Sequence, residues 1–471
     1  MEQGGIESGD LYKIYNNEQL TQAQHSKLGI NIGDIQVASA GQADDVVLLS
    51  SDIYCLSNLL SLTMSYCSRY HVALSHEKTK LQVFAPHKHQ QSVQYWNQTA
   101  PITIDSNFIN FVDTAEHVGI LRSIHGNQAH ILKRISSHKR ALSAVLSSGL
   151  ARHHRANPAS SLRTEQLYGL PVLLSGVASL TLLKSEKDTL DQHYKTTLEA
   201  LLKIHAKTPR SFVFFMSGSL PLQATLDLRQ LGLFAMISRL RDNILNKIAK
   251  HLLISSPDSS RSWFVQIKEI CEKYQLPHPP TILESPPSKL PFKLLAKRQV
   301  QHYWEVKLRE EAAPLESLVF FQPQQMSLST PQPLITTCGS NSYEVNKCVI
   351  QLKMLSGRYR SDSLLSNFHP SNSPKCQLAC DSPDSLGDLP HLLLHCSSLA
   401  YRRTVLFDYW KSLAAKNPEC SSLVNSMISA AAEIQIQFIL DFSTIPEVAS
   451  LALIHGDSTL DDAILKTILA L

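Results

Sequence analysis

Apolar residues recur at helical spacing over 11–24, where Leu11, Ile14, Tyr15 and Leu20 would share one face. The pattern then shortens. Segments 32–40 and 43–50 alternate as strands, and "SAGQADDVVLLS" (39–50) sets Asp44 and Asp45 at their junction, which predicts a hairpin over 37–50. Asp52 is placed to cap a helix running to about residue 70. Short strand-like runs follow at 81–84, 102–104, 108–111 and 118–121, with "IDSNF" as a hairpin loop between the second and third. From residue 128 helical patterns dominate: 128–148, 164–183, 186–205, 220–252, a helix ending at Leu276 before Pro277, then 293–311 and 343–355. The proline-rich stretch 276–292 reads as a linker and 322–340 as a second loose segment. The expected class is therefore α+β: a small piece with a β-hairpin and helices, then a mainly helical piece with a cysteine-containing end.

Composition changes this picture little and charge distribution changes it more. The 471 residues are 43% hydrophobic and 18% charged, as expected of a folded chain with more than one core, and the net charge is only +4. Yet 121–164 contains no Asp or Glu, while it holds Arg122, Lys133, Arg134, Lys139, Arg140, Arg152, Arg155, Arg163 and five histidines. Such a stretch is either a phosphate-binding surface or a solvated helix face of uneven charge. The opening "MEQGGIESGD" has no basic or apolar signal region, and the most membrane-like run, 166–183, is broken by Pro, Gly, Ser and Gln. No membrane association is expected, and the location is expected to be intracellular, nuclear or cytoplasmic, with reduced thiols free to bind metal.

Two adjacent carboxylates at a hairpin tip repel, and a divalent cation removes that penalty. Paired ions about 4 Å apart are the usual device for phosphoryl displacement. The surroundings of Ala43-Asp44-Asp45 sharpen the reading. "QGGIESGDLYKIYNNEQL" (3–20) lies upstream, and "LSHEKTKLQVF" (74–84) and "EHVGILRS" (116–123) lie downstream. This order resembles the reverse transcriptases of non-LTR (LINE-type) retrotransposons. The resemblance implies that Asp44 and Asp45 are Mg²⁺-binding catalytic residues of motif C. It implies that Gln3 and Gly4 are motif B contacts to template and incoming nucleotide, and that Lys78 is the motif D lysine near the nucleotide phosphates, a general acid. Gln42 replaces the usual aromatic, Ser8-Gly9-Asp10 replaces Ser-Pro-Leu, and no motif A strand with the third aspartate precedes Gln3. The two-metal site is thus incomplete, and the fingers are absent as well.

Weaker matches extend the resemblance along the chain: "LYGLPVLLSGVASLTL", "GSLPLQATLDLRQLGLFAMISRL" (218–240), "SWFVQIKEICEKYQLPHP", "AKRQVQHYWEVKLREEA" and "MLSGRYRSD". They imply a partial palm over 1–125 with motifs B, C and D, a helical thumb and connection over 126–275, the linker 276–292, and a helical region over 293–370. A thumb grips an RNA template and DNA primer, an RNA–DNA hybrid, through phosphates. Arg134, Lys139 and Arg140 are the residues assigned to that contact. Trp263 and Trp304 are read as core, not base-stacking. Deoxynucleotide triphosphates would be substrates if the activity survives. The implied function is a fragment of an RNA-directed DNA polymerase whose catalytic set is incomplete, or else a non-catalytic nucleic-acid-binding remnant.

Of nine cysteines, three lie in "CQLACDSPDSLGDLPHLLLHC", spaced Cys376-x3-Cys380-x10-His391-x4-Cys396. Three thiolates and an imidazole suit tetrahedral Zn²⁺ in a structural site, a knuckle over 371–400 followed by a helical tail over 401–471. His395 competes with His391 as the fourth ligand, and ordinary small core cysteines are the plainer alternative. The other cysteines show no paired spacing and read as structural. No Pro-Asp…Asp/Glu-x-Lys nuclease arrangement follows Cys396, and the sequence shows no Gly-rich phosphate loop and no Gly-x-Ser-x-Gly elbow.

Overall fold

The structure, a computed structural model, describes residues 8–85, 91–147, 157–369, 371–378, 380–381, 385–416 and 418–441. It is an α+β fold of small antiparallel hairpins and many helices, and it divides into two compact units. Unit 1 comprises Met1–Ser137, Leu173–Lys187 and Leu226–Lys297; unit 2 comprises His138–Val172, Asp188–Thr225 and Arg298–Leu471.

Unit 1 begins with α1 (Ser8–His25), followed by β1 (Ile30–Ile32), β2 (Ile35–Val37), β3 (Ser39–Gln42), β4 (Asp45–Leu48) and α2 (Ile53–Tyr70). The segment expected as one strand over 32–40 is thus divided between two hairpins. α2 is capped as expected: the Asp52 carboxylate accepts from Cys55 N at 2.7 Å, which holds that carboxyl below its usual range. α1 packs on α2 and β3. Its buried positions are Asn16, Gln19 and Ala23; of the face expected from apolar spacing, Leu11 and Ile14 are exposed while Tyr15 and Leu20 are half-buried. Tyrosine hydroxyls fix the helix pair. Tyr15 donates to Tyr70 O at 3.0 Å and Tyr66 to Tyr15 O at 2.7 Å.

After α3 (Val93–Thr99), β5 (Ile102–Ile104) pairs with β6 (Asn107–Ile109) and β7 (Thr114–His117) with β8 (Ile120–Ser123). The first turn places Asp105 and Ser106 at φ 47° and 70°, the second Val118 and Gly119 at 50° and 73°. Both pairs match the mirror-image turns that suit twisted hairpins. Val118 is therefore a turn residue and the expected strand 118–121 moves two residues on. Leu81, Ile102, Ile104, Ile109 and Phe111 make the local core, with Leu81 bridged to Phe111; segment 81–84 forms no longer strand.

The helical series continues with α4 (Gln128–Val145), α5 (Pro158–Thr164), a π turn (Glu165–Gly169), α6 (Leu170–Leu173), α7 (Lys184–Leu201), α8 (Arg210–Ser217), α9 (Leu222–Arg239), α10 (Ile244–Ser255), α11 (Trp263–Lys273), α12 (Pro279–Glu284) and α13 (Lys289–Ala312). Two expected long helices are broken. The 164–183 stretch turns at Gly176 (φ 74°), and 220–252 breaks at Asp242 (φ 58°), after which Asn243 caps α10 by accepting from Leu245 N at 2.9 Å. The proline-rich 276–292 is not a bare linker. Pro279 starts α12, whose Ile282 and Leu283 are buried. Trp304 is buried and Trp263 donates to Ala178 O at 2.9 Å, so both belong to the framework.

α14 (Pro333–Thr336), α15 (Ser342–Leu355), α16 (Asp362–Phe368), α17 (Ala400–Lys416), α18 (Pro418–Ile428) and α19 (Ala432–Asp441) complete unit 2. Phe212, Phe214, Phe215 and Met216 of α8 are wholly buried, and Phe321 meets the rings of Phe212 and Phe215. Among the described residues, no helix is long and apolar enough to cross a membrane.

Candidate metal centre and the aspartate hairpin

The Asp-Asp pair sits on the β3–β4 hairpin. Gln42 faces Asp45 in register, so Ala43 and Asp44 make the two-residue turn, with Ala43 at φ 52°. Asn16 donates its amide to Ala43 O at 3.4 Å, seating the turn on α1. Asp44 and Asp45 are both exposed. Tyr12 of α1 lies close enough that, after burial, the Asp44 charge is the next cause raising its phenol above the ordinary value. Among the described residues no further His, Cys, Asp or Glu joins the two aspartates in a group of three that could hold an ion.

Lys78 is exposed in a turn closed by Ser75, whose carbonyl accepts from Thr79 N at 3.0 Å. Gln3 and Gly4 lie outside the described residues, as do Arg152 and Arg155 of the acid-free window. That window is less uniformly cationic in space than in sequence. Lys133 pairs with Glu116 of β7 at 2.5 Å. His130 is buried; its Nδ1 accepts from Leu121 N at 3.1 Å and its Nε2 donates to Ser175 O at 3.2 Å, and burial lowers its basicity. His138 is buried also. Arg134 is half-buried, whereas Lys139 and Arg140 are exposed on α4.

The cysteine-containing end is brought together. One ligand atom each from Cys376, Cys380, His391 and Cys396 lies within 4.8 Å of all the others. Cys376 Sγ is 3.9 Å from Cys396 Sγ, and Cys380 Sγ is 3.6 Å from His391 Nε2. Tetrahedral bonds of about 2.3 Å to sulfur and 2.0–2.1 Å to nitrogen would place two sulfurs about 3.8 Å apart and a sulfur and nitrogen about 3.5 Å apart. Both distances suit a shared ion, and the cluster as a whole is able to chelate a metal. His395, the competing ligand, is exposed and outside the cluster.

Local backbone explains the convergence. Lys375 and Leu386 form an antiparallel bridge, and Cys376 N donates to Ser385 O at 3.0 Å. The second pair sits on a π turn (His391–His395) and its C-cap, Cys396. Cys396 N closes it onto His391 O at 2.7 Å. An i→i+5 turn stacks residues five apart, which brings His391 and Cys396 to one side. Asp388 accepts from His391 N at 2.9 Å, and Ser397 Oγ donates to Cys380 Sγ at 3.5 Å. Arg403, 9% exposed, donates to Cys396 O at 2.6 Å. Burial raises the Cys376 thiol above its ordinary value, and Cys396 and Cys380 add to the shift. Three thiolates this close need a cation to neutralise them.

Compared with family models, with curated proteins and with solved structures, the chain matches none.

Proposed function

We propose that this chain derives from the C-terminal part of a non-LTR reverse transcriptase and acts as a nucleic-acid-binding protein stiffened by a structural Zn²⁺. The observation that carries the reading is the order of two features along one chain: a tight hairpin with Asp44 and Asp45 at its tip, then a Cys₃His centre beyond a long helical region. In this reading the hairpin with α1 and α2 is a palm remnant, the helices that follow are thumb, and Zn²⁺ fills the centre, because three sulfurs and one imidazole are a set it prefers. Zinc there would tie the 376–396 loop to α17 without chemistry of its own.

The polymerase half of the resemblance requires Mg²⁺ at Asp44 and Asp45, with Lys78, Gln3 and Gly4 serving the nucleotide. The exposed pair with no third ligand among the described residues favours binding without nucleotidyl transfer. Lys139 and Arg140 are the contacts to an RNA–DNA hybrid, with Arg134 also assigned.

The test is hybrid binding by fluorescence anisotropy across a salt series, alongside primer extension on an RNA template. Neutralising Lys139 and Arg140 with glutamine is expected to reduce the slope of log affinity against log salt by about 1.4–1.8, the release expected for two phosphates. No primer extension is expected. Mg²⁺-dependent extension lost in Asp44→Ala would restore the catalytic reading; absence of hybrid binding at low salt would remove the binding one.

A further inference from the structure

Three titratable side chains from three segments meet inside unit 2. His138 on α4 places Nε2 3.0 Å from both carboxylate oxygens of Glu165, at the start of the π turn, and Nδ1 2.9 Å from His193 Nε2 on α7. The rings of His138 and His193 meet edge to face, 87° apart. Glu165 is wholly buried and His138 is 1% exposed, while His193 is half-buried. A Cβ at Gly169 would lie 2.0 Å from a Glu165 oxygen, so the backbone there closes directly on the carboxylate. π turns are rare and concentrate where a side chain must be aimed.

One placement of protons satisfies all three contacts with Glu165 ionised. In it the buried Glu165 carboxylate accepts from His138 Nε2, and an imidazolium at His138 balances its charge. Its Nδ1–H then donates to His193 Nε2, and His193 must be neutral, with its own proton on Nδ1. Two imidazoliums could not make the His138–His193 bond, because every ring nitrogen would be a donor.

We propose that Glu165, His138 and His193 form a proton-operated latch tying α4, the π turn and α7 together, closed while His193 is neutral and opened when it takes up a proton. The charged groups facing His193 are His138 and Lys139, both from α4; beside it on α7, Tyr194 faces Glu165 and Asp191. Burial, then His138, then Lys139 push His193 down to about 4. Its folded value lies below the unfolded value of about 6.5. The latch thus contributes its full stability above about pH 6.5 and loses it as pH falls from there toward 4, with one proton bound per opening. This holds whether or not the chain binds nucleic acid.

Two measurements on the full chain test it. Carbethoxylation by diethyl pyrocarbonate, read residue by residue by mass spectrometry, reports neutral imidazole. His193 in the native chain is expected to keep its reactivity down to about pH 5.5, where an ordinary imidazole has lost most of its own. The urea midpoint is expected to fall on acidification in the native chain and to fall less in His193→Gln, by a difference of about one proton in slope. Loss of His193 reactivity centred near pH 6.5 would overturn the latch, and so would an unchanged acid slope in a folded His193→Gln protein. If that variant does not fold, the labelling of the native chain decides alone.

Discussion

Substituting Cys376 and Cys380 together by serine is expected to remove one zinc ion per chain and to unfold the segment around the centre. The reason is the way the ligands are held. The sulfur and imidazole atoms converge from a bridged loop and a π turn, neither of which has a large core of its own. The π turn packs against α17 and α19, where Trp410 meets Phe438 at 4.7 Å and Gln351 of α15 donates to Leu440 O at 3.2 Å. Apparent binding free energies of structural Zn²⁺ are on the order of 10 kcal/mol, and that energy is folding energy when no site exists beforehand. Loss of the ion should therefore expose the 376–396 loop and α17 to proteolysis while the α8 core persists. Elemental analysis, with limited proteolysis before and after chelation, reads both effects. His391→Ala is expected to lose the ion and His395→Ala to keep it, because only the first imidazole lies in the cluster. A purified chain without zinc, or a double serine variant that retains it, would exclude the assignment.

The parts of this fold legible in the sequence are those with a local cause. Asp52 announced the start of α2 because a carboxylate three residues ahead of an amide is the helix cap itself. The "IDSNF" turn was legible because short polar residues tolerate left-handed backbone, and Asp105 and Ser106 adopt it. The Cys₃His spacing was legible because the bridged loop and the π turn each hold two ligands close in sequence. Where the cause was distant, the pattern misled. The apolar run around Phe212–Met216 has no period because α8 is buried on every side, so no helix was expected there. Leu11 and Ile14 mark the helical period of α1, yet that helix turns Asn16 and Gln19 inward, where Asn16 meets the hairpin carbonyl. The acid-free window ignored Glu116, which reaches Lys133 from β7. The Glu165–His138–His193 chain spans three elements with no fixed spacing, and the only local hint was a Gly four residues after the Glu.

Gly218→Ala is expected to cost about 2–6 kcal/mol of stability. Gly218 ends α8 in left-handed backbone (φ 61°), its N–H and that of Ser219 closing on Phe215 O and Phe214 O. This is the helix end at which glycine is favoured because a side chain there is strained. Space makes the position stricter than conformation alone. A Cβ would lie 1.9 Å from the Thr330 carbonyl carbon and 2.3 Å from Pro331 N, and backbone cannot swing aside as a side chain can. Moving 330–331 would also break the Gln332 N donation to Met216 O at 3.1 Å, at the edge of the Phe212–Met216 core. Gly232 is the matched control: it lies within α9, is exposed, and a Cβ there meets nothing within 4 Å. Gly232→Ala should stabilise by about 0.5–1 kcal/mol through helix propensity. Urea midpoints of the two variants should therefore move in opposite directions from the native chain. Equal and small shifts would mean that the 330–331 backbone does not close on α8.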